Sequence, residues 1–285
     1  MGLAVAAQAP KADVLDVVFN DDGTVVDVSA MANPIRVTGA PDIKKSPMYG
    51  MNVLCNDEDE WGSETFNNVR VPYNDKLVEA LRNGMTMEVM ARPCFENGTI
   101  SNRWCNIFGC YQGGGFGIII YNGVWDFECV IDQTYKDATF GPVVDGEWIH
   151  LVGVWDKEAG VCKFYANGEL VSTVDGAGGE LGFPTSDGHD DECFVGVGID
   201  FDSGTSTFCR EAFQGDIAIA RIYNDPLTGE QVKALYEQAE AKKTSEPEHV
   251  DRVFPTAAYR RRRNGADSQL RGDGELCPLG ANGQD

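Results

Sequence analysis

The sequence predicts an all-β, antiparallel fold that ends in a short helix and a disordered tail. Three observations lead there. Trp148 to Trp155 is dominated by bulky apolar residues, as in a strand buried on at least one face. Asn122-Gly123 and Asn167-Gly168 are the dipeptides best suited to type I′ hairpin turns, because both central positions need φ > 0. Pro226 to Ala241 carries Val232, Leu235 and Tyr236 at helical spacing, with Thr228 placed as N-cap and Glu230 and Gln231 close to the N3 position.

The remaining elements follow in chain order. Asp13 to Phe19 is a short strand, Asn20-Asp21-Asp22-Gly23 a turn, and Thr24 to Val28 and Ile35 to Thr38 are strand-like. Residues 40 to 50 are turn-rich, with two prolines, and Cys55 to Phe66 is an acidic loop. Asn74 to Arg82 has helical spacing with Asn74 as N-cap, and leads into a strand from Met85 to Phe95. Trp104 to Tyr111, Gly115 to Tyr121 and Val124 to Ile131 are three further strands. After Trp155, Asp156-Lys157-Glu158-Ala159-Gly160 supplies a hairpin loop, and Val161 to Tyr165 and Leu170 to Val174 complete a meander. Phe194 to Phe201 and Asp216 to Tyr223 are the last strands. Beyond Lys243 there is no periodicity and too little apolar surface to offset the entropy of ordering, which predicts disorder.

Two blocks of this chain resemble a known family. Gly146-Glu147-Trp148-Ile149-His150-Leu151-Val152-Gly153-Val154-Trp155-Asp156, followed by Lys163-Phe164-Tyr165-Ala166-Asn167-Gly168, is similar to the middle of laminin-G-like, concanavalin-A-like domains. Phe213-Gln214-Gly215-Asp216-Ile217 with Ala220-Arg221-Ile222-Tyr223-Asn224 resembles their closing strand. The resemblance implies a two-sheet jelly-roll sandwich over residues 13–241, between a leader at 1–12 and a linker or tail at 242–285. It identifies a fold that hosts lectins, adhesive modules, glycosidases and spacers alike, so function has to be argued from the site.

Charge and cysteine content narrow the partners. The net charge is −22, and residues 1–241 hold 15 basic against 38 acidic side chains. A body this acidic repels phosphate backbones and anionic lipid, which excludes nucleic acid as a natural partner and suits neutral ligands or bound cations. Colloidal solubility explains the same charge equally well. No apolar run approaches the length of a membrane span. Ala7-Gln8-Ala9 has the small-residue pattern of a signal cleavage site, so the N-terminus reads as a truncated signal peptide or an ordinary small-residue leader. Eight of nine cysteines lie in the body, which fits disulfides in an extracellular, cell-surface or periplasmic protein; buried thiols are the alternative.

Catalytic signatures are sparse. The fold's glycosidases carry three acids at E-x-D-x-x-E spacing on one strand. Asp57-Glu58-Asp59-Glu60 lacks strand alternation, and Glu128 with Asp132 has the wrong spacing. His150, His189 and His249 are too few for a dinuclear metal centre, and no nucleophile elbow is present. His150 reads as a packed strand residue. The expected catalytic set is therefore empty.

Binding is the expected activity. Trp61, Trp104, Tyr111, Tyr121 and Trp125, in or beside loops and hairpins, are the candidate ligand-stacking residues, while Trp148 and Trp155 are assigned to the core. The resemblance implies a structural Ca²⁺, for which Asp200 and Asp202 at a strand end are the candidate ligands. The reading is a non-catalytic, carbohydrate-binding module of an exported protein, with an extracellular glycan or protein as partner. The alternatives are a structural adhesive domain, or an accessory module of a secreted glycoside hydrolase or calcineurin-like phosphoesterase whose catalytic domain lies outside this chain.

Overall fold

Strand alternation in this sequence builds two stacked antiparallel sheets, seen in a computed structural model that describes residues 8–38, 41–46, 48–56, 68–95, 105–110, 115–183, 194–198 and 213–244. The chain divides into two units, Met1–Glu248 and His249–Asp285, and every described residue lies in the first. Of the tail predicted over 242–285, residues 245–285 lie outside the described residues.

The first sheet runs in the order β14 (Glu169–Asp175), β13 (Val161–Ala166), β12 (Ile149–Asp156), β7 (Met85–Pro93), β16 (Gly215–Tyr223), β1 (Leu15–Phe19) and β2 (Val25–Asp27). At one end of β16 it also pairs β5 (Asn52–Asn56), which in turn pairs β4 (Asp42–Lys45). The second sheet runs β11 (Thr134–Phe140), β10 (Val124–Ile131), β9 (Phe116–Tyr121), β8 (Cys105–Cys110), β15 (Phe194–Val197), β6 (Asn68–Pro72) and β3 (Arg36–Thr38). The fold is the predicted all-β sandwich.

Period-two alternation explains the layering. On β12, Leu151 and Trp155 join the core between the sheets, whereas Val152 and Val154 pack on the opposite face with Tyr165, Val232 and Leu235. Helix α2 (Gly229–Glu240) supplies those last two residues and so covers the outer face of the first sheet. Its start is fixed by a capping box: Gln231 N donates to Thr228 Oγ1 and Thr228 N donates to Gln231 Oε1. The shorter α1 (Asp75–Ala80) begins at Asn74, whose side chain accepts from Lys76 N and Leu77 N as the sequence predicts.

The hairpins follow the turn chemistry. Asn122 and Gly123 take φ of 51° and 77°, and Asn167 and Gly168 take 50° and 81°. A third such turn, Asp132-Gln133 at 48° and 61°, joins β10 to β11, a strand the sequence reading missed. Its residues Thr134–Phe140 are mostly polar and exposed because β11 is a sheet edge with one dry side chain, Ala138. β4 was missed for the same edge reason. β5 was missed because its nearly continuous buried run shows no period of two, and β6 because Val69 and Val71 around the half-buried Arg70 are too few apolar positions to stand out.

The expected disulfides do not form among the described residues. Cys55, Cys94, Cys105, Cys110, Cys129 and Cys162 all carry thiols. Cys129 of β10 and Cys162 of β13 are fully buried, and burial, with the neighbouring Cys162 thiol, pushes the Cys129 thiol well above its ordinary range. They pack as small apolar side chains.

Candidate functional site

The strand β12 that organises the fold also floors a pocket. Trp148 precedes β12 and His150 lies near its start, and both face the side covered by α2. Across them stand Met48 and Tyr49 after β4, Asn167 in the β13–β14 turn, and Tyr236, Glu240 and Lys243 in or just beyond α2. The pocket is open to solvent on one side and has a volume of about 300 Å³. That is the small end of the range for ligand sites, enough for one ring-sized molecule.

Several wall residues are held by their neighbours. Tyr49 meets Trp148 edge-on at 5.6 Å between ring centroids, and its hydroxyl donates to Glu240 Oε1 at 3.0 Å. Lys243 Nζ sits 5.7 Å over the Tyr49 ring. The Arg92 guanidinium lies 5.3 Å over Trp148 and is itself anchored on the buried Asp216, with Nε at 2.9 Å. Asn167 is fixed from both ends: His150 N donates to its Oδ1 at 3.0 Å, and its own N donates to His150 O at 2.8 Å. Asn167 also lines the pocket.

Beneath the floor lies a charged cluster. Glu88 of β7 is fully buried and takes hydrogen bonds from the Tyr223 hydroxyl and, at 2.9 Å, from His150 Nε2. Arg221 of β16 reaches it at 3.4 Å while bonding Asp16 at 2.8 Å. Burial pushes the Glu88 carboxyl up, but the hydrogen bond and charge of His150, the Arg221 charge and the Tyr223 hydroxyl together outweigh it. They hold the group well below the usual carboxylate range, at about 2. Burial and the Glu88 charge in turn raise the Tyr223 phenol. Glu88 engages the ring through Nε2, which leaves Nδ1 as its second polar atom. That atom is buried and has no partner.

The outer face of the second sheet carries a separate group of acids. Asp126 and Glu128 of β10 and Asp137 of β11 place one carboxylate oxygen each within 4.8 Å of the others. Asp126 and Glu128 are only 3% and 2% exposed, which removes them from the ordinary class of solvated surface acids. Burial, aided by the Asp137 charge, pushes Asp126 up to about 7. Burial also raises Asp137, against a hydrogen bond shared with Glu128.

The structure treats the sequence-chosen residues unevenly. Trp61, Trp104, Tyr111, Asp200 and Asp202 lie outside the described residues. Tyr121 is half-buried at the end of β9. Trp125 is 2% exposed and belongs to the core, because its position on β10 alternates inward with Phe127 and Cys129; it is not a ligand platform. Trp155 is core, as expected, and donates its indole N–H to Ala177 O at 2.7 Å. Trp148, assigned to the core from sequence, is instead half-exposed at the pocket, one residue before the strand begins. Asp126-Phe127-Glu128 was legible as an i, i+2 acid pair inside a predicted strand; Asp137 was not, since its strand was missed.

The chain matches the model of the concanavalin A-like lectin/glucanases superfamily over residues 68–233, more than half its length. It belongs to that family. No curated protein matches the sequence. Among solved structures it is similar to the binding domain of botulinum neurotoxin DC in complex with rat synaptotagmin II, at 16% identity and a TM-score of 0.58 over 80% of this chain and 52% of that one. The same domain in complex with SialylT matches at 15% identity and a TM-score of 0.58, again over 80% and 52%. The binding domain of Paraclostridial Mosquitocidal Protein 1 matches at 12% identity and a TM-score of 0.59, also over 80% and 52%. The chain thus spans about half the length of these structures, and at such identities the likeness is one of fold. Among the described residues, no helix is long and apolar enough to cross a membrane.

Proposed function

We propose that this protein is a non-catalytic binding module that takes a single sugar residue of a glycan in the pocket between β12 and α2. The observation that carries the reading is the buried, unpartnered His150 Nδ1 in a pocket walled by Trp148, Tyr49 and Tyr236. A sugar ring offers apolar C–H faces to such aromatic walls and hydroxyls to fixed polar groups. Glu147 and Glu240 accept from those hydroxyls, the Asn167 amide donates, and His150 Nδ1 pairs with a further hydroxyl, which can serve as donor or acceptor. The similar neurotoxin domains support a binding role, since cell entry of botulinum neurotoxin type C depends on interaction with two ganglioside molecules. The Ala7-Gln8-Ala9 pattern and the acidic body support export to an extracellular, surface or periplasmic setting, where such glycans are met.

The test is a glycan array followed by calorimetric titration of the best ligand. Wild type is expected to retain a defined glycan. Trp148→Ala is expected to weaken it by about tenfold or more, a loss of about 1.4 kcal/mol, with the far-ultraviolet spectrum of a folded sandwich kept. No retained glycan on the array would end the carbohydrate reading. A glycan held equally well by Trp148→Ala would move the site away from this pocket.

A further inference from the structure

Two strands bring three acids together where packing alone gives no reason for them. Asp126 and Glu128 alternate outward on β10, opposite Trp125, Phe127 and Cys129, and Glu128 stands directly across from Asp137 on β11. Asp126 Oδ1 is buried and has no hydrogen-bond partner, which is costly for a carboxylate unless something else meets it. On the β9 side, Asp126 and Glu128 face Ile119 and Gly117, which carry no charge.

We propose that Asp126, Glu128 and Asp137 form a binding site for a hard divalent cation of the Ca²⁺ class. The donors are all carboxylate oxygens, which select hard cations over zinc or copper. Their mutual spacing, within 4.8 Å, lets one ion touch all three. Asp137 is exposed, so the ion keeps an open side where water completes its shell, and donors fixed by two strands suit the flexible coordination of Ca²⁺ better than the strict octahedron of Mg²⁺. The ion would meet the unpartnered Asp126 oxygen and clamp the polar edge strand β11 to β10. This site lies on a different sheet from the sugar pocket, and either can fail without the other.

The experiment uses the full chain, stripped with EDTA and dialysed, with Ca²⁺ itself as the probe. For a dissociation constant of roughly 10 µM, about 1 mM Ca²⁺ is expected to raise the wild-type melting temperature by about 5–10 °C. Asp126→Asn is expected to abolish the shift, and Asp137→Asn, at an exposed position that threatens folding least, to weaken Ca²⁺ binding about tenfold or more. Both variants should melt at or above EDTA-treated wild type, since each removes a like charge from the cluster. Glu158→Gln, in the β12–β13 turn, should respond as wild type does. The proposal is overturned if wild type shows neither heat nor a melting shift with Ca²⁺. A shift that survives intact in both Asp126→Asn and Asp137→Asn overturns it as well, by placing the ion on other acids.

Discussion

Glu88→Ala is expected to destabilise the protein by about 3–5 kcal/mol, the cost of breaking a buried ionic cluster by removing one partner. The Glu88 carboxylate is where His150, Tyr223 and Arg221 converge. Truncation leaves His150 Nε2 and the Tyr223 hydroxyl dry and unpaired, while Arg221 retains Asp16. For a domain of this size the melting temperature should fall by about 6–20 °C. Glu88→Gln, which keeps the shape and one acceptor, should cost less. Equal losses for the two variants would mean that packing, not charge, is what the cluster provides.

The same carboxyl makes a pH-dependent prediction. Its folded value of about 2 lies below the reference value of 4.5, so its stabilisation is complete above pH 4.5 and is lost as the pH falls through 2. Wild type and Glu88→Ala should therefore be widely separated in urea melts at pH 7 and converge in acid, between about pH 4.5 and 2. A separation unchanged at pH 3 would show that Glu88 does not gain its stability as an anion.

Gly153→Ala is the second large effect expected. Gly153 sits in the middle of β12, facing the opposite sheet, and a Cβ there would come within 2.1 Å of Phe127 Cδ2. The Phe127 ring cannot simply swing away, because it stacks on Phe164 with centroids 6.2 Å apart and planes at 27°. Overpacking of this kind costs about 1–3 kcal/mol, and more with Gly153→Val. Phe127→Leu should recover part of the loss when combined with Gly153→Ala, a coupling that a double-mutant cycle reads directly. Strictly additive effects would show that the strand shifts instead of the ring.

The fold was largely legible because its signals are local. The β12 to β14 meander is written in alternation and one Asn-Gly turn, and α2 in a capping box that the structure reproduces atom by atom. β4 and β11 were hidden because an edge strand buries little and so writes little periodicity into its sequence. The site was less legible for a different reason. His150 and Glu88 are 62 residues apart and meet only because β7 and β12 are neighbours, paired His150 to Met90 and Val152 to Glu88. Trp148 looks like core from its composition alone; only the position of α2 shows that its ring borders open space.

The two Asn-Gly turns start from the same local chemistry and end under different obligations. Asn122 joins β9 to β10, and a Cβ on the neighbouring Gly123 would meet nothing within 4 Å. Asn167 makes an equivalent turn while gripping His150 through its side chain, and Gly168 lies against Tyr236, 3.1 Å from where a Cβ would stand. Position 122 answers only to backbone conformation, so Asp or Gly should replace Asn there at small cost. Position 167 must satisfy the hairpin, the His150 amide and the helix docked above it. A saturation scan of both turns should therefore return a permissive profile at one and a nearly closed one at the other.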